Sequence, residues 1–515
     1  MGEINILWAD DEIDLLKPHI LFLEDKGYKV FTTNSGDEAL EYLEYQQIDI
    51  VFLDEQMPGL SGIETLSKVK EKFPSLPVVM ITKSEEEYIM EDAIGSKISD
   101  YLIKPVNPNQ ILLSIKKNLD TKRLVSEKTT LDYQQEFRNL SMKINDRLEP
   151  KEWIDVYRKL VHWEIELDGS NDDSMTEILA MQKQDANNAF CKFYQNNYFD
   201  WLAASEEAPI MSHTVFPKKI LPHLTEDGSE TMVVICIDNI RFDQWRSIRP
   251  ALSEIYRVDE EELYYSIVPT ATSYSRNALF SGLLPSEIEQ RFGQQWGDDD
   301  KNIIEEPELL KGMLSLYGKS CKSEFIKINN LDEGKKLSDK LNDYLHNDLL
   351  VISYNFVDTL THSKTEMDMI KELADDEAAY RSVTSSWFDH SPLLDVCKQL
   401  AEKGIKIALT TDHGSIRVKN PVKVIGDRNT NTNLRYKHGK NLSYPEKEVF
   451  EVTSAELAHL PKPNVSTRYI FTTGDDFFVY PNNYNHFVNY YKNTFQHGGI
   501  SLEEVLCPLV FLSPR

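Results

Sequence analysis

Residues 4–12 read INILWADDE and residues 48–54 read IDIVFLD. Each is an apolar run that ends in carboxylates. Val78–Thr82 follows the same rule and ends in a hydroxyl, and Tyr101–Lys104 ends in an ammonium before Pro105. With Lys29–Thr33 these runs make five strands that alternate with helical patterns across residues 1–120. That alternation predicts a parallel, doubly wound α/β sheet. The runs are apolar nearly throughout, as strands covered on both faces are. Asp10, Asp11, Asp54, Thr82 and Lys104 then stand at the carboxyl ends of one sheet and should converge. Three carboxylates together make a hard oxygen site suited to magnesium. A lysine opposite them can pair with a phosphoryl group, and a threonine hydroxyl can hydrogen-bond it.

Beyond residue 120 the chain changes character. Between 121 and 205 Gly and Pro are scarce, and Val125, Leu131, Phe137, Leu140, Ile144 and Leu148 are spaced as a helix spaces its apolar face. Pro150 reads as the first turn of a second helix, and residues 175–204 as a third. This predicts a small helical bundle that links two ends, with its Trp and Tyr residues in the bundle core.

From 206 to 515 the α/β pattern returns. The strands expected are Met232–Ile240, Tyr264–Val268, Leu349–Phe356 and Ile405–Thr411. Their ends carry Asp238, the PTATSYSRN segment with Thr272, Asp358 with His362, and the pair Asp412-His413. His497 stands in FQHGGISLEEVLCPLV near the end. Imidazole mixed with carboxylate suits zinc, and six such groups suffice for two ions. Two metals can clamp the attacking and leaving oxygens of a phosphoryl displacement. Thr272, expected at the start of a helix, would have its alkoxide favoured by metal and helix dipole. Adjacent Asp412 and His413 cannot share a face of a regular element, so a tight turn after the strand is expected to hold them.

Composition bounds the reading. The chain has 515 residues, 41% of them apolar and 27% charged, the balance of a folded protein of about three domains. No apolar run approaches the roughly 18–20 residues of a membrane span. MGEINILWADDE has the pattern of neither a signal peptide nor, with Ile6 at the sixth position, a myristoylation site. Five separated cysteines with no CxxC pair fit a reducing compartment, so the cytoplasm is expected. Lys plus Arg total 56 against 84 Asp plus Glu, a net charge of −28. So acidic a chain lacks the field for long nucleic acid, and no basic helix-turn-helix is visible. Residues 419–440 break the trend: Lys419, Lys423, Arg428, Arg435, Lys437 and Lys440 oppose one acid, Asp427. This segment reads either as a lid that grips substrate phosphates or as a solvated loop. Arg276 and Asn277 are further phosphate contacts or, equally, helix-capping residues. Gly318-Lys319-Ser320 is not a P-loop, because Met313 stands where glycine is needed.

These motifs carry two resemblances. Residues 3–120 resemble a two-component receiver domain of flavodoxin-like fold. That implies Asp54 as phospho-acceptor, and magnesium held by Asp11, Asp54 and the carbonyl of Gln56 with Asp10 in support. It implies Thr82, Tyr101 and Lys104 as the residues that read the phosphoryl group. Lys83 departs from the small residue usual after the threonine. Residues 206–515 resemble the PglZ-type branch of the alkaline phosphatase superfamily. That implies one zinc on Asp358, His362 and His497, another on Asp238, Asp412 and His413, and Thr272 as the nucleophile between them, with Thr270 as runner-up. A threonine in that role is usual for diesterases. Rival implications are a phosphomonoesterase or mutase, and a non-catalytic zinc-stabilised module. The order receiver, helical linker, alkaline-phosphatase-like domain resembles response regulators that Bacteroidota use in type IX secretion and gliding. It implies a sensor histidine kinase, a link to an extracytoplasmic-function sigma factor, a homodimer on phosphorylation, and a phosphodiester substrate such as a short linear or cyclic oligonucleotide.

Overall fold

The computed structural model describes residues 4–73, 76–82, 98–168, 173–203, 205–224, 231–292, 305–359, 376–427, 430–462, 464 and 466–515. Packing divides the chain into two compact units, residues 1–134 and 135–515.

The first unit is a five-stranded sheet of β1 (Ile4–Ala9), β2 (Tyr28–Thr33), β3 (Ile50–Asp54), β4 (Val78–Thr82) and β5 (Asp100–Ile103). Every pairing is parallel and the order is β2-β1-β3-β4-β5. Side chains alternate between two buried layers, Leu7, Ala9 and Leu53 on one side and Ile6, Trp8 and Phe52 on the other. This is why the central runs β1, β3 and β4 are apolar nearly throughout. Ser61 and Glu64 form a capping box at the start of helix Gly62–Lys72. A Cβ on Gly62 would lie 2.2 Å from the Asp54 carbonyl, so only glycine lets this helix begin so close to the end of β3. Helix Pro108–Ile144 runs past residue 134, and its last turns belong to the second unit.

The second unit is built on a six-stranded sheet. Its strands include β6 (Met232–Ile237), β7 (Tyr256–Tyr265), β8 (Ser323–Ile328), β9 (Leu349–Tyr354) and β10 (Ile407–Thr410). The sixth strand, Leu506–Pro514, lies between β7 and β10 and runs antiparallel to both, while β6 pairs parallel with β9 and β10. β8 and Leu506–Pro514 were not among the strands expected. The reversed strand matters for the site. Its amino end lies beside the carboxyl ends of β7 and β10, so the HGGIS segment before it reaches the same edge as Asp238, Thr272 and Asp412. Between β10 and that strand, residues 416–496 fold into small sheets, among them Tyr436–Gly439, Arg468–Thr472 and Val449–Val452.

The linker region expected to be helical over 121–205 contains the helices Pro150–Asp168 and Asp173–Leu202. They pack within the second unit. Trp153 lies against Phe190 and Phe193, and Phe190 and Trp201 lie against Tyr265 of β7. The aromatic core is thus shared with the sheet. No helix among the described residues is long and apolar enough to cross a membrane.

Candidate active site

In the first unit Asp10, Asp11 and Asp54 bring carboxylate oxygens within 4.8 Å of one another. Asp10 and Asp54 are buried, and Asp11 is exposed. Lys104 spans the buried pair, with Nζ 2.9 Å from Asp10 and 2.6 Å from Asp54. Burial raises the Asp54 carboxyl, and its hydrogen bond from Lys104 works against that. Burial lowers the Lys104 ammonium, but the bonds to Asp54 and Asp10 outweigh it and hold it raised. Thr82 donates to Glu55, Tyr101 is 43% exposed, and Gln56 stands exposed after β3. Lys83 lies outside the described residues. Clustered carboxylate oxygens with one corner open to water suit a hard divalent cation.

In the second unit Asp238 follows β6, and Asp412-His413 occupy the turn after β10. Oxygen and nitrogen atoms of these three lie within 4.8 Å of one another, and all three side chains are buried. Asp238 Oδ1 is buried without a hydrogen-bond partner, as a carboxylate oxygen aimed at a cation would be. His413 Nδ1 lies 3.1 Å from the Gly414 carbonyl. A carbonyl only accepts, so Nδ1 carries the proton and the Nε2 lone pair faces Asp238 and Asp412, at 3.9 and 3.7 Å. His497 is pinned likewise: Nδ1 is 3.2 Å from the Thr270 carbonyl and Nε2 is 3.7 Å from Asp358. The two imidazoles stack with centroids 4.4 Å apart. Burial pulls His413 down to about 4, so the imidazole is neutral and fit to ligate. Two carboxylates and a correctly turned imidazole fit one zinc, and Asp358 with His497 offer donors for another. His362 lies outside the described residues.

Thr272 Oγ1 stands 3.3 Å from His413 Nε2. The other candidate hydroxyl, Thr270, is engaged elsewhere: it is buried, donates to the Gly499 carbonyl at 2.8 Å and accepts from Gly498 N at 3.0 Å. It locks the His497 loop onto the Thr272 segment.

Several basic residues for which phosphate contact was one of two readings have other partners. Arg276 is buried, with an ion pair to Asp238 and its Nε 3.0 Å from Asp412. It spans two of the acids as their counter-charge. Burial would raise Asp412, but Arg276 and His413 hold that carboxyl well below the usual range, while burial raises Asp238. Arg435 is fully buried, with Nη2 2.6 Å from Glu504, and Lys437 is buried with Nζ 2.8 Å from the Asn431 carbonyl. Unpaired charges would be costly there, so these two serve the fold of 416–500 and do not form a lid. Lys419 pairs with Asp475 at 3.6 Å, Lys423 sits over the Tyr484 ring, and Lys440 is half-buried; Arg428 lies outside the described residues. Asn277 keeps a buried Nδ2 without a partner.

Asn239 was missed from the sequence. It has a left-handed backbone, φ 61°, which Asn tolerates better than most residues. This turns its N–H toward Asp412 and its Nδ2 toward Asp358, each at 3.4 Å. Ser266 and Thr411 were also missed; they hold the turn through the Asp412 and His413 carbonyls, each at 2.9 Å. The asparagine directly after a strand-ending aspartate was the one legible signal.

Residues 215–512 match the family described as the BREX system PglZ alkaline phosphatase-like domain. Residues 123–202 match the PorX response regulator linker domain and 6–116 the response regulator receiver domain. Curated relatives match over about a quarter of the chain. The alginate biosynthesis transcriptional regulatory protein AlgB of Pseudomonas putida is 34% identical over 128 residues, 25% of this chain and 29% of that protein. The transcriptional regulatory protein ResD of Bacillus subtilis is 32% identical over 115 residues, 22% of this chain and 48% of that protein. The chain thus spans under half the length of both. A CheY-like receiver domain structure from Methanospirillum hungatei is 28% identical and covers 23% of this chain and 96% of its own, with a TM-score of 0.23.

Proposed function

The chain belongs to the PglZ alkaline phosphatase-like family, joined to a receiver and a linker in the order of PorX response regulators, and from that premise we propose a phosphorylation-controlled, zinc-dependent phosphodiesterase. The observation that carries the reading is the Thr272 hydroxyl at the Nε2 edge of His413, beside the Asp238–Asp412 pair. In the reaction Thr272 Oγ1 attacks phosphorus, the bond to the leaving alcohol breaks, and water then cleaves the Thr272–phosphoryl ester. Asp238, Asp412 and His413, and Asp358, His362 and His497, would hold zinc, which when bound would supply Lewis-acid charge at the reacting phosphoryl group. Asn277 Nδ2, buried and unpartnered, donates to a substrate phosphoryl oxygen. Arg276 holds the Asp412 carboxylate ionised and keeps Asp238 in place beside it. Short linear or cyclic oligonucleotides are the proposed substrates, since the site suits compact anions and the chain as a whole is acidic.

A receiver implies a histidine kinase partner. We propose transfer of a phosphoryl group to Asp54 with magnesium on Asp10, Asp11, Asp54 and the Gln56 carbonyl. Readout would pass through Thr82, Lys104 and Tyr101, and a homodimer would form. The setting proposed is cytoplasmic control of type IX secretion and gliding, with a sigma factor as a further partner.

The test is turnover by zinc-loaded protein of a nitrophenyl phosphomonoester and of bis(p-nitrophenyl) phosphate, each beside Thr272→Val. Diester-selective turnover lost in T272V supports the reading. Monoester-selective turnover would replace it with a monoesterase or mutase. Zinc bound with no turnover on either ester would replace it with a binding module.

A further inference from the structure

One face of helix Asp173–Leu202 reaches both backbone segments that carry the site. Asn187, Cys191, Tyr194 and Tyr198 recur at intervals of four, three and four, which is a single stripe of an α-helix. All four are buried. Asn187 Oδ1 accepts from Leu502 N at 2.7 Å, and its Nδ2 donates to Glu503 at 3.0 Å. Cys191 Sγ lies 3.1 Å from the Ile500 carbonyl. Tyr194 donates to the Ser266 carbonyl at 2.8 Å, and the Tyr198 hydroxyl accepts from Val268 N at 3.2 Å.

These contacts fall on two stretches. Ser266–Val268 leads into Thr272, and Ile500–Glu503 follows His497. Both are irregular or short, and beyond the Ile500–Thr473 bridge and the Ser266 N bond to the Val505 carbonyl, buried groups such as the Leu502 and Val268 N–H and the Ser266 carbonyl need side-chain partners. The helix supplies them. If burial were the only task of this face, Leu or Phe would serve as well. Instead each position carries a polar atom aimed at one backbone group. The two stretches are also tied to each other, through Thr270 with Gly498 and Gly499 and through His497 with the Thr270 carbonyl.

We propose that Asn187, Tyr194 and Tyr198 are positioning residues for the active site: the linker helix sets the register between the Thr272 wall and the His497 wall. None of them touches Thr272 or a proposed ligand. The inference rests on the reading of Thr272 as nucleophile and His497 as a metal ligand. It splits the helix into two roles. Asn187 acts through the His497 loop and so on metal affinity. Tyr198 acts through the Thr272 segment and so on turnover. Misplacement of a reacting group by about 1 Å can cost about 100-fold in rate, so a lost hydrogen bond need not unfold anything to be felt.

The experiment uses full-length protein and two readouts: zinc affinity by competition with a chromophoric chelator, and kcat and KM on bis(p-nitrophenyl) phosphate. Asn187→Leu, close in shape, is expected to weaken zinc binding about tenfold, in the range for loss of an outer-sphere partner, with turnover largely restored by excess zinc. Tyr198→Phe is expected to keep zinc affinity and KM and to lower kcat about fivefold. Met181→Ala, exposed on the same helix, is expected to change neither. Wild-type zinc affinity in N187L together with wild-type kcat in Y198F overturns the proposal, as does an equal loss in M181A. If N187L does not fold, Tyr194→Phe and Y198F, which each remove a single oxygen, decide through kcat. Wild-type protein that binds zinc but cleaves no ester sinks the phosphodiesterase reading alone, and N187L zinc affinity then judges the positioning claim. Wild-type protein that binds no zinc removes both.

Discussion

The two units solve one problem in two ways. Each gathers anionic groups at the carboxyl ends of parallel strands and spans two of the acids with a single cation. In the first unit Lys104 bridges Asp10 and Asp54, and Asp11 is left exposed. In the second Arg276 bridges Asp238 and Asp412, and cation and acids alike are sealed from water. Lys is a point charge on a flexible stem, and Arg is a planar fork that holds two partners in fixed geometry. The open cluster suits a group that comes and goes. The sealed one suits a resident metal and a fixed nucleophile. The two differ in burial and in ligand type, since carboxylates alone form the first cluster and imidazole joins them in the second.

The comparison can be broken at its two reacting atoms first. Asp54→Asn is expected to abolish labelling by acetyl phosphate, read as a mobility shift on a phosphate-affinity gel, while diester turnover per zinc-loaded site persists in the unphosphorylated protein. Thr272→Val is expected to leave Asp54 labelling intact and to lower kcat by about 1,000-fold or more, the scale of losing an attacking group. Loss of labelling in T272V would show that the two sites are not separable.

The bridging cations come next. Arg276→Met leaves two buried carboxylates without their counter-charge, and unfolding in urea should show a loss of about 3–5 kcal/mol in zinc-free protein. Lys104→Met also uncovers two buried acids, but Lys104 keeps some exposure and Asp11 opens that cluster to water, so the loss in the first unit should be smaller than in the second. Equal penalties would mean that burial does not separate the two sites.

A smaller effect should appear in acid. His213 has a buried, unpartnered Nδ1, and burial with nearby Lys218 and His459 lowers its pKa from 6.5 to about 4. Between those values the unfolded chain binds a proton that the folded chain does not. Stability present above pH 6.5 is therefore lost as pH falls toward 4, by up to about 3 kcal/mol. His213→Gln should flatten the urea midpoint of the second unit across that range and leave the first unit's profile unchanged. An unaltered slope in the variant would assign the acid sensitivity to other groups.

How much of this was legible depended on how local the signal was. The strands of the first unit read directly, because the central runs β1, β3 and β4 are largely buried and each run stops at a polar group. Asp238 and the Asp412-His413 turn read for the same reason. The reversed strand Leu506–Pro514 did not, because an apolar run says nothing of its direction, and direction is what delivers His497 to the site edge. Arg276, Arg435 and Lys437 were weighed as phosphate contacts because sequence displays their charge and hides their partners. Asp412 lies 136 residues from Arg276, and Glu504 lies 69 from Arg435. The linker helices read as helices, but the sheet that shares their core could not be seen from their own periodicity.

The sequence alone determined which side chains are available and where strands end, because backbone periodicity and strand-terminal polarity are properties of neighbouring residues. It thereby set the receiver's acidic cluster, the donors proposed for the second cluster, and Thr272 as the candidate hydroxyl with Thr270 as runner-up. Tertiary structure alone engaged the Thr270 hydroxyl with Gly498 and Gly499 and left Thr272 beside His413, turned Arg276 and Arg435 into buried counter-charges, and seated the linker helix against the Ser266–Val268 and Ile500–Glu503 stretches. Each of those outcomes depends on which distant group satisfies a buried charge or hydrogen bond. In a low-dielectric interior that pairing is enforced by the cost of leaving it unmade.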